Sequence, residues 1–231
     1  MKLWYYIFGP RVPVPELQAH WTVYAAPTVV ISLARVCLLV SLFLPYWHIV
    51  LKAPQYPRRD LQITAYINRI EGDMREINGL NHYIGMRPLD EAARFEKAVG
   101  VWGVIAMVLL MESAMFIHSR WAALLLLPVI LFPAFFLADL YYWLNLFGQN
   151  LDPAAPLSSS IKPFTPPALG EGIIGQFKTV ARQGTGLWLA WAAAGLLLVG
   201  LFLHRRAYKP LYDAMKRQAA TDNNKVNTCP V

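Results

Sequence analysis

The chain has 231 residues, 56% hydrophobic and only 15% charged, with a mean hydropathy of +0.37. That balance argues against a soluble domain or a disordered chain and suits a small polytopic membrane protein. The net charge of +7 is not a nucleic-acid signature. Its densest cluster, Arg205, Arg206, Lys209, Lys216, Arg217 and Lys225 against Asp213 and Asp222, follows the last apolar stretch. A membrane protein carries its cytoplasmic anchor there, beside anionic lipid.

Residues 1–27 open with an aromatic-rich stretch, then Gly9-Pro10-Arg11-Val12-Pro13-Val14-Pro15, which breaks any helix. No small-residue cleavage site follows a short apolar core, so the segment is not read as a signal peptide. It is expected to lie along the membrane surface, with Trp4, Tyr5, Tyr6 and Trp21 at headgroup level. Four stretches, 28–50, 98–118, 121–147 and 186–204, are long enough to span a bilayer, which takes about 20 apolar residues. The predicted fold class is an all-α membrane protein: four transmembrane helices with two long extracytoplasmic loops, 51–97 and 148–185, and a basic cytoplasmic tail, 205–231. Arg120 in the short turn between the second and third spans supports that orientation, while the many Lys and Arg of 51–97 oppose it. The expected location is a cytoplasmic membrane, crossed several times. Cys37 and Cys229 are too differently placed to form a structural disulfide, and no CxxC or CxxCH occurs.

The first loop begins with Lys52-Ala53-Pro54-Gln55-Tyr56-Pro57, an extended path. Leu61–Ile67 then alternates like a short strand, Gly72-Asp73 punctuates it, and 90–97 reads as a helix feeding the second span. The second loop carries Pro153, Pro156, Pro163, Pro166 and Pro167 and is too long for a mere connector. It is expected to order against the first loop or a partner.

His82 and Met86 are the first candidates for chemistry. Imidazole and thioether together suit copper, Cu(I) especially. If 80–87 is helical, the two share a face; Gly85 argues equally for a turn. Two ligands do not make a tight site, so Met74, Glu71, Asp73 or a second-loop residue would have to join. The alternative leaves His82 bonded to loop backbone and Met86 in packing. Asp139, near the outer end of the third span, is the best intramembrane candidate for an outward-facing site, and Arg35 and Glu112 lie at similar depth as a structural pair. His48 sits where the first span meets the interface. His20, His48, His118 and His204 cluster at span ends rather than at matching depth, which argues against intramembrane haem. The sequence contains no Walker loop, GxGxxG, HExxH or GxSxG, so nucleotide, dinucleotide and familiar hydrolase chemistry have no footing.

Three segments together, LKAPQYP, INGLNHYIGMRPL, and ADLYYWLNLFGQNLDPAAP with its later IKPFTPP and GQFKT, resemble a family of bacterial membrane proteins. Members are encoded beside copper-handling genes of the nitrous-oxide-reductase accessory type. The resemblance covers about 40–185 and implies a context more than a reaction. By position it points to His82, Met86, Asp139 and the segment Gln149–Asp152. Gln149 departs from relatives, which carry histidine there; 1–26 and the basic tail are peculiar to this chain.

Two functions follow as expectations. One is a non-enzymatic accessory protein linked to copper handling or maturation of a copper enzyme, with copper held at His82, Met86 and Asp139. The other is a non-catalytic structural subunit of a larger membrane complex, such as a copper-dependent monooxygenase or a respiratory oxidase. Partners on either reading are the lipid bilayer and other membrane subunits or a copper enzyme, with no nucleic acid. A transporter would need a polar mid-membrane pathway, and no charged group lies near the centre of the third span.

Overall fold

The computed structural model describes residues 8, 12–52, 59–119, 121–157, 160–174 and 177–227. In chain order the elements are α1 (Val14–Ala19), α2 (Trp21–Ser41), β1 (Trp47–Lys52), β2 (Leu61–Ala65), β3 (Ile70–Gly72) and α3 (Met74–Ile84). A single 3-10 turn (Leu89–Glu91) follows, then α4 (Arg94–Met115), α5 (Trp121–Gln149), β4 (Gly170–Ile174), β5 (Phe177–Gln183) and α6 (Thr185–Asn227). The chain is a membrane protein: α2, α4, α5 and α6 through Ala214 are each long and apolar enough to cross a bilayer.

It is not all-α. Among the described residues, five strands form one antiparallel sheet in the order β3-β2-β1-β5-β4. The expected first span, 28–50, is displaced as well: α2 runs Trp21–Ser41, and Trp47-His48-Ile49-Val50 belong to β1. Pro45, which supplies no amide hydrogen, stands between the two. Trp21 therefore opens a span instead of lying along the surface. Trp4, Tyr5 and Tyr6 lie outside the described residues. The second span starts at Arg94, where Ala93 takes a positive φ of 49° after the 3-10 turn. The last helix continues through the basic tail to Asn227.

The chain divides into two compact units. One comprises Met1–Cys37, Ala106–Leu131 and Ala192–Val231; the other comprises Leu38–Ile105 and Phe132–Trp191. In the first, Arg35 pairs with Glu112, as their matched depth predicted. Ser32 Oγ lies 3.9 Å from Met115 Sδ. A Cβ on Gly200 would stand 2.9 Å from Ile31 Cγ1, so the bare glycine lets α6 approach α2 closely.

The second unit holds the sheet. Alternate residues of its inner strands include the buried ones: Trp47 and Ile49 on β1, Leu61 and Ile63 on β2, Thr179 and Ala181 on β5. Register puts Ile49 opposite both Ile63 and Ala181, so the middle of one face is apolar across three strands. That face packs on Ile77 and Leu80 of α3 and on Phe136, Leu140 and Leu144 of α5. A fully buried Leu61 contributes about 1.5–3 kcal/mol through the area it removes from water.

Glycines let backbone rest directly on backbone in this unit. Gly148 of α5 carries the Phe164 strap: Phe164 N–H donates to Gly148 O at 3.0 Å, and a Cβ on Gly148 would lie 2.1 Å from Phe164 O. Gly148→Ala should therefore lower stability by about 1–3 kcal/mol. Gly79→Ala, inside α3 with nothing within 4 Å of its Cβ position, should raise it by about 0.5–1 kcal/mol. Paired melts in one detergent test this, and equal shifts would show that the strap is not seated on α5.

Candidate functional site

The segment that drew attention in the sequence folds as α3 and the turn after it. Gly72 and Asp73 break β3, and α3 starts at Met74. It ends at Ile84 because Gly85 adopts φ +82°, and Met86 N–H reaches back to Asn81 O at 2.8 Å, a six-to-one closure. Met86 thus lies beyond the helix, and the shared helical face that an i, i+4 pair requires does not form. Its side chain packs with Ile84 and Phe147 in an apolar cluster that Trp143, Leu146, Leu151, Ile161 and Phe164 extend. His82 is exposed, its ring edge-on to Tyr83 at 6.1 Å.

The neighbouring asparagines brace the same turn. Asn78 Oδ1 accepts from Leu89 N–H at 2.9 Å, and its amide donates to Asp90 Oδ2 at 3.2 Å. Buried Asn81 donates to Arg87 O at 3.5 Å. The second inter-span segment docks on this turn, as one of the expected alternatives held. Asp152 N–H donates to Gly85 O at 2.8 Å, and Leu157 N–H to Tyr83 O at 3.0 Å. Only glycine fits at 85: besides its positive φ, a Cβ would stand 2.6 Å from Asp152 O.

Gln149 is occupied as well. Its amide donates to Thr165 Oγ1 at 3.1 Å, and the Thr165 hydroxyl donates in turn to Asn145 Oδ1 at 2.8 Å. Asp139, half-buried on α5, has the Trp143 indole one turn on and the Glu96 carboxylate of α4 as its electrostatic neighbours. Met86 and Asp139 thus have Trp143 as a common neighbour, whereas the ring contact of His82 is with Tyr83. Among the described residues no three His, Cys, Asp or Glu side chains converge as a metal site. Of the donors expected for copper, the His82 imidazole is exposed and the Met86 thioether is buried among apolar side chains.

Where α2 gives way to β1, buried Tyr46 shares a 2.8 Å hydrogen bond with Ser41 and packs against Phe132 and Phe136. Burial pushes its phenol up to about 12, so it stays protonated and works as a hydrogen-bonding wedge. Trp47 Nε1 donates to Ala168 O at 2.6 Å and pins the proline-rich strap.

The grouping that sequence reasoning missed is aromatic. His118 and His204 lie nearly parallel, 9° apart with ring centroids at 5.5 Å. Tyr208 packs on both, at 4.0 and 4.7 Å, and meets Tyr24 edge-on at 5.6 Å. Four spans already put the turn after the second and the end of the fourth on one side, so the meeting of these histidines was available from topology. Buried His204 leaves Nε2 without a hydrogen-bond partner among the described residues.

No family model matches the chain, and no curated protein matches it. The resemblance of the loop segments to the membrane-protein family rests on those residues alone.

His48, on β1 with Nδ1 3.1 Å from Thr64 Oγ1, has its pKa lowered by burial. The folded protein thus disfavours the imidazolium, while the unfolded chain protonates near pH 6.5. Stability should be level above that value and fall as pH drops through it, because the unfolded state then binds the extra proton. His48→Gln should shallow the acid-side loss in melts between about pH 7.5 and about pH 5. An unchanged pH profile would remove His48 as a contributor.

Proposed function

We propose that this chain is a non-catalytic accessory subunit of a larger bacterial inner-membrane assembly, built to present a folded module to a partner. The carrying observation is the use made of the polar residues between spans. Asn78, Asn81, Asn145, Gln149 and Thr165 brace backbone or one another, and Met86 is in packing. What the module offers outwards is shape and apolar surface: Ile173 on edge strand β4 is 80% exposed and Tyr83 on α3 is 56% exposed. An exposed apolar residue on an open strand edge suits a surface that a partner covers.

On this reading the termini are cytoplasmic, the sheet faces the outer side, and any link to copper runs through the partner enzyme, where catalysis resides. The family resemblance supports that context. A membrane-impermeant thiol reagent should label Cys229 only after permeabilisation; labelling in intact cells would reverse the orientation.

The functional test is gentle purification from native membranes, with partners identified by mass spectrometry and copper measured on each separated component. A stable larger complex is expected, with copper on the partner and none on this chain. Ile173→Asp should weaken the association while leaving the melting temperature of the isolated chain unchanged. An isolated chain carrying near-stoichiometric copper, lost in a His82→Ala/Met86→Ala double variant, would instead make it a metal carrier.

A further inference from the structure

Beyond its membrane span, α6 is amphipathic in a way that the aromatic grouping fixes. His204 and Ala207 are buried, and Tyr208 is held against His118 and Tyr24. These contacts set the rotation of the helix about its axis. At about 100° per residue, Arg205, Lys216, Lys209, Arg206 and Arg217 fall within a single arc of about 120° on the other side. All five are exposed, and Asp213 is the one carboxylate among them. Arg205, Arg206, Lys209 and Lys216 take part in no ion pair among the described residues. Lys209, Pro210, Asp213, Ala214 and Arg217 line a shallow hollow of about 420 Å³ on the same side.

We infer that this stripe is a binding surface for the phosphate groups of anionic phospholipids. Its position is the first argument. Arg205 and Arg206 follow directly on the apolar stretch Leu187–Leu203, so they emerge where that stretch leaves the hydrocarbon. The headgroup layer is about 5–8 Å deep on each side of the bilayer. Charge is the second. Lysines and arginines near an anionic leaflet are attracted by its surface potential, and the attraction fades within a Debye length. The helix supplies the third: it cannot roll to turn the stripe away without breaking the stacking of His204 and Tyr208.

The geometry also grades the contributions. Arg205 to Arg217 spans about 18 Å of helix axis, more than twice the headgroup depth. Arg205, Arg206 and Lys209 reach phosphates; Lys216 and Arg217 stand beyond them and act through a screened field.

Full-length protein would be reconstituted into phosphatidylcholine vesicles containing spin-labelled phosphatidylglycerol or spin-labelled phosphatidylcholine, and lipid contact read by electron paramagnetic resonance. Wild type should prefer the anionic label at low salt and lose that preference at about 1 M salt, where the Debye length is about 3 Å. The Arg205→Gln/Arg206→Gln/Lys209→Gln variant should lower the preference at least about fivefold, the equivalent of one surface cation's attraction. Lys216→Gln/Arg217→Gln should retain most of it. No preference in wild type, or a preference that survives high salt or the triple change, would overturn the assignment. Equal loss in both variants would also overturn it and point to an acidic protein surface along the whole stripe. The salt titration needs no variant, so it reads the surface even if a substituted helix fails to fold.

Discussion

The antiparallel pairing of β1 with β5 is the contact on which the second unit depends. Six consecutive positions register, from Trp47 opposite Gln183 to Lys52 opposite Lys178. The two strands come from different inter-span segments, so this pairing turns what would be two loops into one sheet. Gly184 N–H to Tyr46 O at 2.8 Å and Gly186 N–H to Pro45 O at 2.7 Å extend it to the start of α6. A Cβ at Gly184 would stand 2.2 Å from Pro45 O, so that junction closes only around a bare backbone.

Once the sheet exists, the remaining segments have a surface to fold on. Asp73 Oδ2 accepts from Gln62 N–H at 2.9 Å and ties the start of α3 to β2. α3 then offers its C-terminal turn to Asp152, while Trp47 and Gly148 hold the strap from Phe164 to Ala168. An open sheet with two edges has no place in lipid hydrocarbon, where unpaired amide and carbonyl groups cost several kcal/mol each. The module is consequently the part of the molecule that meets water or another protein. Asn78, Asn81, Asn145, Gln149 and Thr165 are engaged in holding it together.

Hydropathy made the spans legible because about 20 apolar residues in a row have few other uses. It failed at 42–50 for a physical reason. Leu44-Pro45-Tyr46-Trp47-His48-Ile49-Val50 is as apolar as the helix before it, and a short buried strand cannot be told from a helix by hydrophobicity alone. Pro45 and the aromatic and β-branched run after it were the signals that distinguish them. β2 was readable because Leu61 and Ile63 alternate with polar residues. β4, Gly170-Glu171-Gly172-Ile173-Ile174, was not, since two glycines in five residues read as a turn; its partner β5 and the Thr179 Oγ1 to Gly172 O bond at 3.2 Å hold it extended. At the candidate site, residue types at 78–86 were conspicuous, but only the left-handed Gly85 decides that Met86 turns into packing while His82 stays on the helix surface. Tertiary contacts likewise made a bracing residue of Gln149.

The most direct test of the account is amide hydrogen exchange across β1 and β5 in the full-length protein, reconstituted in lipid. Amides of residues 47–51 and 179–183 should be protected together, with those of the paired inner strand β2, and far above the irregular parts of the inter-span segments. Exchange of either strand at the rate of an unstructured peptide, with the other still protected, would contradict a single sheet built from both segments.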